Sequence, residues 1–312
     1  GADVLNGIAL GTDHVLITGK LWDRMYKVDF PNWPTLFASS LKGEAALDNG
    51  DEAKDPLAIV LAEEGISERG EQLQNATTDT FSIIEQVDHD ASSFTQGLSY
   101  GHDNDGKLCI YETTGLWGQS KVRRIDPDTF AVVASVDIDS AHFGEGSTFY
   151  TDTDGKRRLI EITWKKQTGF IYDVDTLEQL REFSYTTTAP GHEGWGITYD
   201  ASAQEFIVSD GSANLYFWDR DTLAEKRSVR VTRLDGMEQD QLNELEYMDG
   251  LVCCNIWYSD DIICVDPESG NSVREYDMSS LWPTDQRSAG ADVLNGIALG
   301  TDHVLITGKL WD

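Results

Sequence analysis

Basic side chains are what this sequence has least of for its size. Its 312 residues hold 24 Lys plus Arg against 55 Asp plus Glu, a formal net charge of −31. Without a basic patch there is nothing to displace counterions from a phosphate backbone, which argues against a nucleic-acid partner. The same deficit disfavours an anionic membrane surface, and no run reaches the ~18 apolar residues of a membrane-spanning helix. Nothing in it resembles a signal peptide, and the start at Gly1 reads as that of a fragment. Four cysteines, Cys109, Cys253, Cys254 and Cys264, are too few for a disulfide scaffold. Three of them fall on the two arms of one hairpin, LVCCNIWYSDDIICVD, and read as buried thiols with room for a single bridge. HExxH, paired CxxC and a Gly-rich phosphate loop are all missing, and the six histidines form no spaced cluster. Zinc and nucleotide chemistry therefore have no support.

What is present is turn chemistry. Glycine is high at 28 and proline low at 7, with 40% of the chain hydrophobic, a balance suited to many tight turns between short buried strands. Asp126 in IDPDTF, Asp173 in YDVDTLE, Asp219 in WDRDTLAE and Asp266 in VDPESGN recur at separations of 47, 46 and 47 residues. Short alternating apolar runs flank each of them. A turn repeated at about 45 residues is the mark of a β-propeller blade. With a fifth instance at Asp29 in YKVDFPN, the spacing predicts an all-β, five-bladed β-propeller. TFSIIEQVDHD (80–90) reads as an outer strand borrowed to close the ring beside VLNGIAL, HVLITGK and MYKVDF. GHDNDGKLCIYE (101–112) and YTDTDGKRRLIE (150–161) imitate calcium loops, but recurrence at the blade period marks them as hairpin turns.

Residues 1–23 recur without a change as residues 290–312. The plain reading is a window cut from a tandem array with a period of 289 residues; an artificial duplication is the alternative. Three regions follow: 1–30 ending a preceding repeat, 31–79 as a linker, and 80–312 as the propeller. The linker carries ten acidic and three basic side chains and an N-glycosylation sequon at Asn75, which suits an exposed, secreted segment. Which copy of the duplicate closes the ring is left open by the sequence.

Functional residues of a propeller gather at the mouth of its channel, one position per blade. FTQGL, FGEG, EGWGIT, LNELEY and VLNGIA open the inner strands at intervals of roughly 50 residues. Singly, Phe94, Trp164, Trp195 and Trp257 read as packing, and Gln96, Asn243 and Asn295 as amides satisfying strand ends. Glu145, between two glycines, resists that reading, and the set on one face shifts the balance toward a site. Together these motifs, with ETTGLWGQSKVR, LIEITW, SDGSANLYFWD, NIWYSDDI and ITGKLW, resemble the plant and bacterial type of glutaminyl-peptide cyclotransferase across residues 80–312. The Ser147 of FGEGST and the Cys253-Cys254 pair depart from that pattern, as do the acidic linker and the duplication.

That resemblance implies a five-bladed propeller converting N-terminal glutamine to pyroglutamate with loss of ammonia. It implies Glu145 as the proton-transferring carboxylate, with Lys309 (or its duplicate Lys20) and Asn243 stabilising the oxyanion. Phe94, Phe143, Trp164, Trp195 and Trp257 would hold the apolar part of the substrate and Gln96 its terminus. No metal or other cofactor is required; a divalent ion in the channel would be structural. Partners would be peptides with N-terminal Gln and neighbouring identical repeats, outside the cell. A second reading is a propeller used as a building block of an extracellular fibre or coat, its active-site residues inherited. A WD-repeat binding propeller is disfavoured, because no GH element recurs in every blade.

Overall fold

The computed structural model describes residues 5–10, 15–19, 25–29, 77–188 and 191–311, the first two segments and 77–79 as backbone strands. Five four-stranded antiparallel units follow one another in the ring. Blade 1 comprises Thr95–His102, Leu108–Thr114, Lys121–Ile125 and Val132–Asp137. Blade 2 comprises Gly144–Thr151, Arg157–Thr163, Thr168–Asp173 and Gln179–Ser184. Blade 3 runs Ile197–Asp200, Glu205–Ser209, Asn214–Asp219 and Glu225–Arg230. Blade 4 runs Leu242–Met248, Leu251–Ile256, Asp261–Val265 and Ser272–Asp277, with Thr77–Asp79 added in parallel at its rim. Blade 5 is assembled from Leu294–Leu299, Val304–Gly308, Met25–Asp29 and Ser82–Val87.

Burial follows position in the blade. Inner strands are buried almost throughout because a neighbouring blade covers each face, whereas the outer strands Val132–Asp137 and Glu225–Arg230 alternate exposed and half-buried. The core is correspondingly divided into five clusters, one at each blade–blade interface. Turns between third and fourth strands explain the aspartate rhythm. The Oδ1 atoms of Asp126, Asp173, Asp219 and Asp266 each accept backbone N–H groups two or three residues on. Each turn then closes on a left-handed residue: Phe130, Leu177, Leu223 and, in blade 4, Gly270. The two calcium-like segments are hairpins, with Gly106 and Gly155 supplying the positive φ.

Two carboxylates fasten the inner strands across the channel. Glu244 Oε2 accepts the Ile297 amide at 2.8 Å and Glu246 Oε1 accepts the Leu299 amide at 2.8 Å, joining blade 4 to blade 5. Cys253 and Cys264, directly opposed on neighbouring strands, form a disulfide, so the single bridge is present and two of the expected thiols are not. Cys109 and Cys254 remain buried thiols.

The C-terminal copy of the duplicate builds the inner half of blade 5. Residues 25–29, expected to belong with a preceding repeat, supply that blade's third strand, and Ser82–Val87 its outermost, as TFSIIEQV was expected to do. The N-terminal copy forms a two-stranded hairpin, Leu5–Leu10 with Val15–Gly19, hydrogen-bonded to no further strand among the described residues. Lys20, Asn75 and, apart from Thr77–Asp79, the acidic segment 31–79 lie outside the described residues.

Candidate active site

Four of the five inner strands are irregular at their first residues; that of blade 3 pairs regularly. Strand pairing slips between Thr95 and Gly97, Gly144 and Ser147, Leu242 and Leu245, and Leu294 and Ile297. A bulge at such a point re-aims a side chain that regular alternation would send into the blade. The residues inside these four slips are Gln96, Glu145 with Gly146, Asn243 with Glu244, and Asn295 with Gly296. Glycine at the strand mouths lets neighbouring inner strands touch: a Cβ at Gly196 would stand 2.1 Å from the Asn243 carbonyl oxygen. The pattern Q-G, E-G and N-G at three of these mouths thus joins side-chain aim to close approach, and W-G of blade 3 supplies close approach alone.

Phe94, Gln96, Phe143, Glu145, Trp164, Trp195, Asn243, Trp257 and Lys309 all line one cavity of about 190 Å³. Every sequence-predicted catalytic and substrate-binding residue within the described part of the chain is therefore brought together. All five blades contribute: Gln96 from the first, Glu145 and Trp164 from the second, Trp195 from the third, Asn243 from the fourth, Lys309 from the fifth. The volume lies below the ~300–1,000 Å³ of pockets for drug-sized ligands and suits a single amino-acid residue. His142 and His192 do not line it.

The walls are two groups of packed aromatic rings. Phe143 meets Phe94 edge-on at 6.0 Å and Trp164 at 5.6 Å, and Trp195 meets Trp257 at 5.2 Å. Within them Glu145 is 5% and Lys309 4% exposed. Burial raises the Glu145 carboxyl well above its usual range; nearby Glu193 and Glu161 add to the rise, and Lys309 opposes it. Burial likewise pulls the Lys309 ammonium down, against Glu145 and Asp292, which hold it up. Both groups are pushed toward their uncharged forms, as befits an acid and an amine taken out of water. Lys309 Nζ also stands 5.0 Å from the centre of the Phe94 ring.

The amides are oriented from behind. Asn295 Nδ2 donates to the Thr95 carbonyl at 2.9 Å and to Gln96 Oε1 at 3.3 Å, so Gln96 turns its own N–H donors toward the cavity. Asn295 is thus a support at a strand end, as expected. Asn243 Oδ1 is buried without a hydrogen-bond partner among the described residues.

Four residues at the site escaped sequence reasoning. Tyr258 and Asp292 line the cavity. Trp117 packs against Phe143 and Trp164 while remaining half exposed. Glu193 lies behind two tryptophans and accepts both indole N–H groups. Glu193 and Trp117 stood inside quoted motifs, EGWGIT and ETTGLWGQS, where the flanking glycines were the available signal; Asp292 had none.

A propeller that gathers an acid, a lysine and two amides between aromatic walls is one built to hold and transform a small polar group. The chain belongs to the glutamine cyclotransferase family, whose sequence profile matches residues 1–30 and 57–312. It is 35% identical over 233 residues to the glutaminyl-peptide cyclotransferase of Arabidopsis thaliana, covering 73% of this chain and 68% of that protein. Among solved structures it resembles the Myxococcus xanthus glutaminyl cyclase. That match has a TM-score of 0.62 at 30% identity and covers 74% of this chain and 92% of the other.

Proposed function

We propose that this chain converts N-terminal glutamine of peptides to pyroglutamate, releasing ammonia. The observation that carries the reading is the meeting of Glu145, Lys309, Gln96 and Asn243, from four different blades, in one aromatic-walled cavity of single-residue size. In the reaction the free α-amine attacks the side-chain amide carbon and a C–N bond closes the five-membered ring. The carbonyl oxygen gains negative charge, which N–H donors of Lys309 and Asn243 at the cavity wall stabilise, while Gln96 holds the substrate terminus. Glu145 takes a proton from the attacking nitrogen and gives one to the departing amide nitrogen, which leaves as ammonia. A carboxyl whose proton affinity is raised by burial serves both steps near neutral pH. The aromatic walls exclude water, so the amine rather than a water molecule meets the carbon.

Proton transfer and hydrogen bonding account for each step, so the reaction needs no metal; a divalent ion in the channel would be structural. Ammonia release from a Gln-initiated peptide, measured with and without chelator and beside Glu145→Gln, tests both claims. Release equal to that of the variant would sink the reaction, and loss with chelator would sink metal independence.

An extracellular location, with Asn75 glycosylated, is supported by the Cys253–Cys264 disulfide, a bond that persists in oxidising compartments. A mass shift on glycosidase treatment of the secreted protein is the check. The N-terminal hairpin, hydrogen-bonded to no further strand among the described residues and identical in sequence to the one seated in blade 5, supports a second reading. In it the propeller is carried as a repeat beside identical neighbours, an arrangement that also serves a fibre or coat.

A further inference from the structure

One carboxylate outside the cavity wall holds two of the wall's indoles. Glu193 sits in the loop between blades 2 and 3, and its Oε2 accepts Trp164 Nε1–H at 2.5 Å and Trp195 Nε1–H at 3.0 Å. Trp164 follows the second strand of blade 2, and Trp195 precedes the first strand of blade 3. The shared oxygen therefore ties together walls that belong to different blades. Its other oxygen stands 3.8 Å from Lys165 Nζ, and that ammonium lies 3.6 Å over the Trp164 ring. The same loop hydrogen-bonds the catalytic strand, through Gly146 N–H to the Trp195 carbonyl at 2.8 Å. At Gly194, a Cβ would stand 2.2 Å from the Tyr185 hydroxyl, so the loop is seated without slack.

We propose that Glu193 is a positioning residue of this site: it sets the spacing of the Trp164 and Trp195 walls that grip the substrate and lends its negative charge to the surroundings of Glu145. Neutral acceptors would satisfy the indoles; a carboxylate does so with shorter, stronger bonds and a charge. The charged groups facing Glu145 are Lys309 from blade 5, Glu161 from blade 2 and Glu193 from the loop, with the Tyr185 hydroxyl near both loop and carboxyl. Among the described residues Lys165 is the cation paired with Glu193 itself. Glu193 opposes ionisation of Glu145, so its neutralisation makes Glu145 lose its proton at lower pH.

The inference rests on the proposed cyclisation, and two variants separate them. Glu193→Ala removes both indole partners and raises KM for a Gln-initiated peptide about tenfold, a factor equal to roughly 1.4 kcal/mol, with a smaller change in kcat. Glu193→Gln keeps an acceptor oxygen, restores KM to within about threefold, and moves the Glu145 limb of the pH profile to lower pH. Independently of activity, the indole N–H resonances of Trp164 and Trp195, assigned through Trp→Phe variants, shift together in Glu193→Ala. An unchanged KM in Glu193→Ala, no rescue by Glu193→Gln, a pH limb that stays in place or unmoved indole resonances would each overturn the assignment. A wild-type protein that releases no ammonia would overturn the reaction instead, while the resonances still judge the positioning.

Discussion

Glu145 owes its chemistry to company rather than to its own type: an exposed glutamate would be ionised at neutral pH and useless as a donor. Replacing it with glutamine keeps shape and hydrogen bonding but removes the transferable proton. Glu145→Gln is expected to lower kcat by about 10²–10⁴, the usual range for a general acid–base, with KM little changed; steady-state ammonia release reads this. Asn243→Ala deletes a donor to the developing oxyanion, and a loss of about 10²–10³ in kcat is expected in the same assay. At this scale the site was largely legible in the sequence. Gln96, Glu145 and Asn243 each put a polar side chain at the start of an inner strand, and glycines stand beside Gln96 and on both sides of Glu145. Glu193 and Asp292 were not legible, because nothing local separates an acid that backs an indole from one that faces water. Only the fold brings Trp164 within reach of Glu193, 29 residues away.

Among the elements, blade 5 shows what local pattern fixes and what it leaves open. The strand quality of VLNGIAL and VLITGKLW and the closing role of TFSIIEQV were readable from alternation and turn spacing. Which of two identical hairpins fills the blade was not, since identical sequences have identical propensities. In the structure Leu294–Leu299 and Val304–Gly308 are seated, and the other copy pairs with no strand of the blade among the described residues. Lys309→Ala is therefore expected to lower kcat by about 10²–10³, whereas Lys20→Ala leaves it unchanged; parallel kinetics of the two variants check the assignment. The strand mouths carry a further constraint. Gly196→Ala drives a methyl group to within 2.1 Å of the Asn243 carbonyl oxygen, and overpacking of that kind costs about 1–3 kcal/mol. A lowered unfolding midpoint together with reduced activity is expected, because the displaced residue is itself part of the site.

Across the whole molecule, buried acids set how stability responds to pH. Burial pushes Glu161 and Glu246 up to about 8 from an ordinary value of 4.5. In the window between those values the folded chain holds protons that the unfolded chain has released, so stability falls as pH rises from about 4.5 to 8. The net charge of −31 pushes the same way, since carboxylate repulsion grows with ionisation. Thermal unfolding midpoints are expected to decline across this window, and Glu246→Gln should flatten the decline; a midpoint that climbs toward pH 8 would contradict it. The five-fold rhythm of aspartate turns made the ring legible, yet these carboxyls were hidden from the sequence because inner-strand alternation is masked by burial on both faces. The way blade 5 is stitched has a kinetic side as well. Val304 pairs with Val28, almost the full chain length away, while the four-stranded antiparallel units of the other blades are built from consecutive hairpins. Contacts so distant form late, after the loop-closure cost of the whole ring has been met. Because Lys309 rides on that last seam, a propeller with four finished blades is already folded in most of its mass and still catalytically silent, so the return of ammonia release during refolding should lag behind the recovery of β-structure.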